Sequence, residues 1–256
     1  PASTGARLGV DDVAFAYESD QPLLRGVSFE AEPGRTVAVV GATAAGKSTL
    51  TTLLSRLVDP DRGRITLDGT DLRDLAAGEL ATAVAVVPQT AFLFDATVRG
   101  NVTLGEGTDG ADPIPDEDVW AALRTAQADG FVAALPDGLD TRLGERGASL
   151  SGGQRQRISL ARALVRHPRL LILDDATSAV DPEVEQRILA GLRRHRDSTL
   201  VVIAYRKATI GLADEVVHLV DGRIADRGTH AELLERSADY AELVNAYETD
   251  AEAVLE

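Results

Sequence analysis

The stretch TVAVVGATAAGKST, residues 36–49, contains the pattern that decides the fold. Its opening run TVAVV is short and rich in β-branched residues, which is typical of a strand buried inside a parallel sheet. The segment Gly41–Thr49 then matches the pattern G-x-x-x-x-G-K-[ST], and a helix is predicted to begin near Lys47. A strand, a glycine-containing loop and a helix in this order predict an α/β protein.

The segment Gly41–Thr49, called the phosphate loop below, has the chemistry of a nucleotide site. Successive backbone N–H groups and the helix N-terminus present positive potential to phosphate oxygens. Lys47 would reach the β- and γ-phosphates, and the Ser48 hydroxyl would ligate Mg²⁺. Gly41 and Gly46 permit the backbone angles and the close approach. A tight strand–helix turn without a ligand is the alternative. The predicted nucleotide-binding residues are Gly41, Thr43, Ala44, Ala45, Gly46, Lys47, Ser48 and Thr49.

The composition limits the classes of protein and of partner. The chain has 256 residues, which suits one α/β domain or one domain with a sizeable insert. Acidic residues outnumber basic residues by 41 to 26, and the net charge of −15 argues against nucleic acid as a partner. The absence of cysteine excludes disulfides and cysteine metal sites and fits a cytosolic location. No apolar run approaches the ~20 residues that span a bilayer. Because the chain starts at Pro1 and contains no Met, we expect it to be processed or excised from a longer protein.

Hydrophobic patterning predicts the arrangement around the phosphate loop. Alternating apolar and polar residues predict two half-buried strands, 8–17 and 26–32, that form an antiparallel layer. Residues from about 97 to 147 are rich in Ala, Asp and Leu and predict an inserted helical subdomain, with an exposed loop at 105–115. The other predicted elements are strands at 64–69, 84–89, 170–175 and 199–204, helices from 151, over 183–196 and from 239, a hairpin turning at Asp221-Gly222, and a capping box at Thr229–Glu232.

The segment LSGGQRQRISLARAL, Leu150–Leu164, is similar to the signature motif of ABC ATPases. Ser151 would cap a helix, and Gly152 and Gly153 would leave the N–H groups at its start accessible to a γ-phosphate. The resemblance implies that these residues complete the nucleotide site of a partner subunit. A glycine-containing helix cap with no ligand is the alternative. The predicted signature contacts are Ser151, Gly152, Gly153 and Gln154.

Three more segments resemble motifs of the same family. LLILDD, residues 170–175, resembles the Walker B strand, which implies that Asp174 holds Mg²⁺ through water. SAVD, Ser178–Asp181, resembles the loop through which two subunits sense each other, with Asp181 in that role. Gln89 resembles the glutamine that contacts Mg²⁺ and couples to the membrane domain, although a lone Gln after a strand is more often a solvated loop residue. The metal ligands that the resemblance implies are Ser48, Gln89 and Asp174.

Two further features extend the resemblance, which covers roughly residues 8–247. Tyr17 lies where the family has an aromatic side chain that stacks on adenine, although a strand Tyr is commonly core. LGERG, Leu143–Gly147, resembles a loop of ABC exporters that contacts the coupling helices. The implied fold is a single ABC ATPase domain over residues 1–256, with a RecA-like P-loop NTPase core of α/β type, an antiparallel β subdomain and a helical signature subdomain at about 97–165. The transmembrane domain is expected to lie outside this chain.

Three positions depart from the family pattern. Ala44 replaces a Gly of the phosphate loop, but its backbone N–H remains available, so nucleotide binding should survive. Asp175 stands where a catalytic Glu usually polarises water, and losing the reach of such a base typically costs ~10²–10⁴-fold in rate. Tyr205 replaces a switch His, and a phenol does not reproduce the donor and acceptor geometry of an imidazole. Engineered substitutions would give the same sequence. The predicted catalytic-site residues are Asp175, Tyr205 and Gln89.

Both losses affect the site on this chain's own phosphate loop, whereas the signature motif is intact. This asymmetry resembles one half of a heterodimeric ABC exporter with one degenerate site. We predict that the chain binds ATP and Mg²⁺ tightly, hydrolyses ATP slowly, and lends its signature to a different, competent ABC domain. The pair would lie at the cytoplasmic face of the cell membrane and drive transmembrane domains through a groove near Gln89 and Glu145. The alternatives are a soluble ABC ATPase without a membrane partner and a regulatory nucleotide-binding module.

Overall fold

A computed structural model describes residues 5–18, 21–105, 113–144, 147, 149–194 and 198–253. The strands are β1 (Leu8–Ala16), β2 (Pro22–Ala31), β3 (Thr36–Val40), β4 (Arg62–Leu67), β5 (Thr70–Asp71), β6 (Val84–Val87), β7 (Leu170–Asp174), β8 (Thr199–Ile203), β9 (Glu215–Val220) and β10 (Arg223–Gly228). The helices are α1 (Lys47–Leu54), α2 (Ala77–Ala83), α3 (Val98–Thr103), α4 (Asp116–Thr125), α5 (Asp129–Ala133), α6 (Gly152–Leu164), α7 (Pro182–Arg194), α8 (Lys207–Ile210), α9 (His230–Arg236) and α10 (Ala238–Ala253).

The smaller of two sheets is antiparallel and has the strand order β2-β1-β4-β5. The predicted antiparallel pairing of β1 with β2 is confirmed. β2 begins at Pro22, earlier than the predicted start at Gly26, because Leu24 is buried along with the later residues Val27 and Phe29. This sheet therefore forms one apolar layer beside the phosphate loop.

The larger sheet has the strand order β10-β9-β3-β8-β7-β6, and only β10 runs antiparallel to its neighbour. Every residue of β3 is buried, as predicted for residues 36–40, and so is every residue of β8, since both strands are covered on both faces. Val37 and Val39 pack with the smaller sheet and α1. Ala38 and Val40 pack in a second core with helices α3 to α7. The strand that precedes the phosphate loop thus lies at the centre of the molecule.

The helices agree with most of the sequence predictions. α1 and α6 begin where predicted, and Asp221 and Gly222 both have positive φ, 47° and 73°, as the tight turn of a hairpin requires. Thr229 caps α9 in the predicted capping box. The region from 97 to 147 contains α3, α4 and α5, while α2 and α8 were not predicted. Residues 106–112 of the predicted loop and 195–197, where a helix was predicted to end, lie outside the described residues.

The larger sheet brings distant segments together at one edge. β3, β6, β7 and β8 are parallel, so their carboxyl ends meet there, at the edge where α/β proteins bind ligands. The phosphate loop follows β3, Gln89 follows β6, Asp175 follows β7 and Tyr205 follows β8. Within the described ranges, no helix is long and apolar enough to cross a membrane.

Candidate functional site

A cleft of about 440 Å³ opens at this carboxyl edge. It brings together the phosphate loop, Gln89, Asp175 and Tyr205, as the sequence predicted. The residues that line it are Leu23, Thr43, Ala44, Gly46, Lys47, Ser48, Thr49, Gln89, Asp175 and Tyr205. The predicted residues outside this lining are Tyr17, Gly41, Ala45, Asp174, Asp181 and Ser151–Gln154.

The backbone of the phosphate loop depends on its two glycines. A Cβ atom at Gly41 would lie 2.3 Å from the Leu219 carbonyl oxygen, and one at Gly46 would lie 2.7 Å from Leu24 Cδ2. Gly46 has a φ of 102° and forms the N-cap of α1. Ala44 has a φ of 67°, in the left-handed region that costs a non-glycine residue roughly 1–2 kcal/mol. The replacement of Gly by Ala therefore leaves the loop path intact at a small conformational cost.

Lys47 is buried beneath the loop, with 3% of its surface exposed. Its Nζ donates to the carbonyl oxygens of Gly41 at 2.5 Å and Ala42 at 2.7 Å, and it lies 4.6 Å from the centre of the Tyr205 ring. Burial lowers the pKa of Lys47 to about 8, although the carboxylates of Asp174 and Asp175 oppose this shift. The ammonium group is therefore close to its titration range while it holds the loop together.

Two consecutive carboxyl groups lie at the carboxyl end of β7: Asp174 is its last residue and Asp175 follows it. Burial raises the pKa of Asp174, and the nearby Lys47 opposes that shift. Burial raises the pKa of Asp175 to about 6, and the hydrogen bond from Gln89 lowers it in part. That bond joins Gln89 Nε2 to Asp175 Oδ2 at 2.8 Å. Asp175 has a φ of 49°, a conformation that Asp adopts more readily than most residues.

The donors around the cleft fit a Mg²⁺ ion. Mg²⁺ is usually held by one or two carboxylates, further oxygen donors and the phosphates of a substrate. Ser48 supplies an exposed hydroxyl, Asp174 a carboxylate and Gln89 an amide oxygen. In the part of the chain that the structure describes, no group of three or more His, Cys, Asp or Glu side chains could hold a metal ion. The donor set thus suits a metal bound together with phosphates better than a metal held by the protein alone.

Tyr205 lies over Lys47 at the end of β8. Burial raises the pKa of its phenol to about 12, and Tyr247, Asp174 and Asp175 add to the shift. The hydroxyl is therefore protonated at neutral pH and can donate one hydrogen bond. The Tyr205 ring packs against the Tyr247 ring at a centroid distance of 5.6 Å.

The predicted cap of α6 is confirmed. Ser151 Oγ accepts a hydrogen bond from the Gln154 N–H at 3.2 Å, and Gln154 Oε1 accepts one from the Ser151 N–H at 2.8 Å. Close packing requires a glycine at position 153, because a Cβ atom there would lie 2.6 Å from the Ala179 carbonyl oxygen. The sequence did not reveal this requirement. The two motifs at residues 150–154 and 178–181 are thus packed against each other within this chain.

Tyr17 and Asp181 lie apart from the cleft. Tyr17 is 63% exposed, and its ring contacts the Phe15 ring in a T-shaped arrangement with a centroid distance of 4.9 Å. Asp181 Oδ1 accepts a hydrogen bond from the Glu183 N–H at 2.9 Å, at the start of α7. The nucleotide and partner roles of these two residues remain predictions.

A family model described as ABC transporter matches residues 24–178. The chain belongs to the ABC transporter family. Membership of this family implies ATP binding, usually together with Mg²⁺. The predicted fold class is confirmed: the chain has the mixed α/β fold of an ABC ATPase, with a parallel and an antiparallel sheet.

Similar proteins include exporters from several bacteria. The ATP-dependent lipid A-core flippase of Vibrio vulnificus (strain CMCP6) is 44% identical over 238 residues, which are 92% of this chain and 40% of that protein. The ATM1-type heavy metal exporter of Novosphingobium aromaticivorans is 44% identical over 236 residues, 91% of this chain and 38% of that protein. A solved bacterial Atm1-family ABC exporter with ATP bound is 41% identical, with a TM-score of 0.86 over 95% of this chain and 42% of that one. The chain thus spans about two-fifths of the length of these relatives.

One residue of this ABC ATPase domain that sequence reasoning missed is Gln156 on α6. Its Nε2 donates to the Gln89 carbonyl oxygen at 3.1 Å and to Ser178 Oγ at 3.0 Å. Its Oε1 accepts from the Ala179 N–H at 2.9 Å. The side chain is 5% exposed, so one buried amide joins the signature helix to the two loops after β6 and β7. The only signal in the sequence was a polar residue on the apolar face of a predicted helix.

A second missed cluster surrounds Glu185, which is 3% exposed. Its Oε1 accepts from Thr177 Oγ1 at 2.6 Å and from Thr209 Oγ1 at 2.8 Å, and its Oε2 accepts from Arg206 Nη1 at 2.6 Å. Arg206 also donates to the carbonyl oxygens of Ser178 at 2.7 Å and Val180 at 3.2 Å. These hydrogen bonds hold Arg206, the residue after Tyr205, against the loop that contains Asp181.

A third missed feature is an aromatic pair beyond Gln89. Phe92 and Phe94 are 52% and 48% exposed and contact each other edge to face at 5.1 Å. The loop that carries them is held by the buried Asn101, which accepts from the Phe94 N–H at 2.8 Å and donates to the Phe94 carbonyl at 3.0 Å. Arg162 of α6 donates to the carbonyl oxygens of Phe92 and Asn101. An ordered loop therefore presents two large apolar rings to solvent.

The exporter-like segment LGERG is only partly visible. Leu143 is buried and Gly144 has a positive φ of 67°. Glu145, which was expected to line the groove used by transmembrane domains, lies outside the described residues, as does Arg146. The role of this segment stays a prediction.

Proposed function

We propose that this chain is the ATP-binding domain of an ABC exporter and that it binds Mg²⁺·ATP at its own phosphate loop. The main observation in support is that Lys47, Ser48, Gln89 and Asp175 line one cleft at the carboxyl end of four parallel strands. The printed names of the relatives, a lipid flippase and a heavy metal exporter, support a transport role. Because the chain spans about two-fifths of their length, the transmembrane domains would lie outside it.

Different side chains of the site would bind the phosphates, the Mg²⁺ ion and the adenine of the nucleotide. When ATP binds, the Lys47 ammonium would break its hydrogen bonds to the carbonyl oxygens of Gly41 and Ala42 and pair with the β- and γ-phosphates. The N–H groups of the loop would hold phosphate oxygens. Ser48, Gln89 and Asp174 would hold Mg²⁺, which when bound neutralises negative charge on the phosphates. The exposed ring of Tyr17 would stack on adenine.

The same site would hydrolyse ATP slowly. The Asp175 carboxyl is shorter than Glu by one methylene, and Gln89 already occupies one of its oxygens. The Tyr205 phenol can donate one hydrogen bond but cannot accept and donate from two separate nitrogens as an imidazole does. General-base catalysis depends on hydrogen-bond reach, so both replacements favour a site that binds nucleotide and turns it over poorly.

The signature residues Ser151–Gln154 would serve a second ABC domain that retains Glu and His. Ser151 is exposed and caps a 13-residue helix by accepting from the Gln154 N–H, and the remaining N–H groups at the start of α6 would be offered to a γ-phosphate from another subunit. Asp181 would sense that subunit. The partner would be a different and competent domain, and the single domain of residues 1–256 would contribute its helical subdomain, about 97–165, to the contact. A nucleic-acid partner disagrees with the net charge of −15.

The exposed pair Phe92 and Phe94 supports a docking surface for the transmembrane domains. The rings follow Gln89 by a few residues, so movement at the nucleotide would be transmitted through the loop that Asn101 and Arg162 hold in place. Large apolar side chains exposed side by side commonly mark an interaction surface. Docking there would place the domain against a membrane, and we propose that it lies at the cytoplasmic face.

Nucleotide binding is tested with the substitution Lys47→Ala. Hydrogen bonds to charged groups contribute about 1.5–3 kcal/mol, so the affinity for Mg²⁺·ATP should fall by roughly 10- to 150-fold. The measurement is a titration with a fluorescent ATP analogue in Mg²⁺, with circular dichroism to show that the variant is folded. Lys207→Ala is the matched control, since Lys47 and Lys207 are the two lysines of the chain, and it should bind as the wild type does. Equal affinity in wild type and Lys47→Ala, or no binding by the wild type, would contradict the proposal.

The affinity for ATP should also depend on pH. The pKa of Lys47 is about 8 without nucleotide, and neighbouring phosphates favour its charged form. Below pH 8 the ammonium is already protonated and the affinity should be constant. Above pH 8 a proton must be taken up on binding, so the dissociation constant should rise by up to about tenfold per pH unit. A titration between pH 7 and 9.5 measures this, and Lys47→Arg, whose guanidinium does not deprotonate, should abolish the rise. A wild-type profile that stays flat would show that Lys47 does not control binding.

A further inference from the structure

The carbonyl group of Gly41, at the start of the phosphate loop, has two side-chain donors. Lys47 Nζ donates to it at 2.5 Å, and the Tyr247 hydroxyl donates to it at 2.6 Å. The Gly41 N–H in turn donates to the Tyr247 hydroxyl oxygen at 3.4 Å. Tyr247 is separated from Gly41 by 206 residues and belongs to no motif of the site.

Tyr247 reaches the loop because α10 is anchored on the core. Tyr240 and Val244 are fully buried, and Tyr247 lies seven positions after Tyr240, on the same face of the helix. The Tyr247 ring packs on Tyr205 at 5.6 Å, and Tyr205 in turn lies 4.6 Å from Lys47 Nζ. Gly41, Lys47, Tyr205 and Tyr247 therefore form a closed ring of contacts that joins the last helix to the phosphate loop.

This arrangement matters when Lys47 moves. If its ammonium pairs with phosphates, the Gly41 carbonyl loses one of its two donors, and a buried carbonyl without any donor is unfavourable. Tyr247 supplies the remaining donor. Burial raises the pKa of the Tyr247 hydroxyl, so it keeps the proton that it donates.

We infer that Tyr247 is a positioning residue for nucleotide binding: its hydroxyl holds the Gly41 carbonyl in place when Lys47 is transferred to the phosphates. This inference rests on the proposed binding of ATP at the phosphate loop. The helix α10 would thereby support the nucleotide site, although Tyr247 does not line the cleft.

The test is the substitution Tyr247→Phe, which removes the hydroxyl and keeps the ring on Tyr205. The loss of one hydrogen bond that is needed only once Lys47 leaves should weaken Mg²⁺·ATP binding by about 5- to 20-fold. Tyr240→Phe is the matched control: it makes the same change on the same helix, and removes a hydrogen bond to His230 Nδ1 at 2.7 Å, while neither Tyr240 nor His230 lines the cleft or bonds to Gly41. Its affinity should stay within about twofold of wild type.

A double-mutant cycle separates positioning from general destabilisation. In a Lys47→Ala background the carbonyl no longer exchanges donors, so Tyr247→Phe should change the affinity by less than about twofold. An equal loss in both backgrounds, or an equal loss from Tyr240→Phe, would overturn the inference. If the wild type itself does not bind Mg²⁺·ATP, the proposed function fails instead. All titrations are made at least ten degrees below the melting temperature of each variant.

Discussion

Replacing Asp175 by Glu and Tyr205 by His together should raise the ATPase turnover of this domain by about 10²- to 10⁴-fold. The longer carboxylate reaches the attacking water, whereas Asp175 is short and its Oδ2 accepts a hydrogen bond from Gln89 at 2.8 Å. The imidazole restores a side chain that can donate and accept at two separate nitrogens. Phosphate release at saturating Mg²⁺·ATP measures the effect. Because each site would need a second subunit's signature, turnover should also rise more steeply than linearly with protein concentration.

The single substitutions show how much each of the two residues contributes, and a matched control tests whether the position of the carboxyl change matters. Asp175→Glu and Tyr205→His made separately should each recover only part of the rate, since the two groups act on the same phosphate. Asp74→Glu makes the same carboxyl change at an exposed residue that does not line the cleft and should leave turnover unchanged. If the double variant binds ATP normally and its turnover equals that of the wild type, the slow-site proposal is wrong. Mixed with a competent ABC domain, the wild type should still stimulate that domain's turnover.

The arrangement of the cleft was predictable because its parts are local motifs attached to strands. Residues 36–49 specify a buried strand, a loop and a helix start in one continuous stretch, and parallel strands bring their carboxyl ends to the same edge. Gln89, Asp175 and Tyr205 each follow a short apolar strand. Their convergence therefore required only the strand assignments and the parallel order of the sheet.

The supporting contacts were not predictable because they join residues distant in the sequence. Gln156 binds Gln89 across 67 positions, and Tyr247 binds Gly41 across 206 positions. Neither partner alters the local pattern of hydrophobic residues. The reason for Gly153 was likewise hidden, since the close approach of the Ala179 carbonyl depends on the packing of two separate motifs. Function was therefore easier to infer from sequence than the packing that holds the functional loops.

The environment of Glu185 was predictable in part, unlike the contacts of Gln156 and Tyr247. Ile188, Leu189 and Leu192 follow it at the spacing of an apolar helical face, so the sequence places a carboxyl group on the buried side of α7. A buried carboxyl group requires partners. The sequence could thus have indicated that Glu185 is paired, but not that Arg206, Thr177 and Thr209 would be its donors.

Glu185→Ala should lower the free energy of unfolding by about 3–5 kcal/mol, since removing one member of a buried ion pair leaves the other charge uncompensated. The Glu185 side chain is 4% exposed, so an interior acceptor is lost, whereas the Arg206 side chain is 29% exposed and water can solvate part of the charge that is left, which places the expected loss at the lower end of this range. Thr177 and Thr209 also lose their acceptor, because both hydroxyls donate to Glu185 Oε1. Urea denaturation followed by circular dichroism measures the change as a lower midpoint at an unchanged slope.

Two comparisons distinguish the ion pair from a general weakness of α7. Glu183→Ala removes an exposed carboxylate two residues earlier on the same helix and should leave the denaturation midpoint nearly unchanged. Adding Arg206→Ala to Glu185→Ala should cost less than the sum of the two single changes, because Arg206→Ala alone leaves the buried Glu185 without its charged partner and the double variant does not. If the two single changes add fully, Glu185 and Arg206 stabilise the protein independently. The loop of Ser178 and Val180 would then be held by the Arg206 hydrogen bonds to its carbonyl oxygens alone.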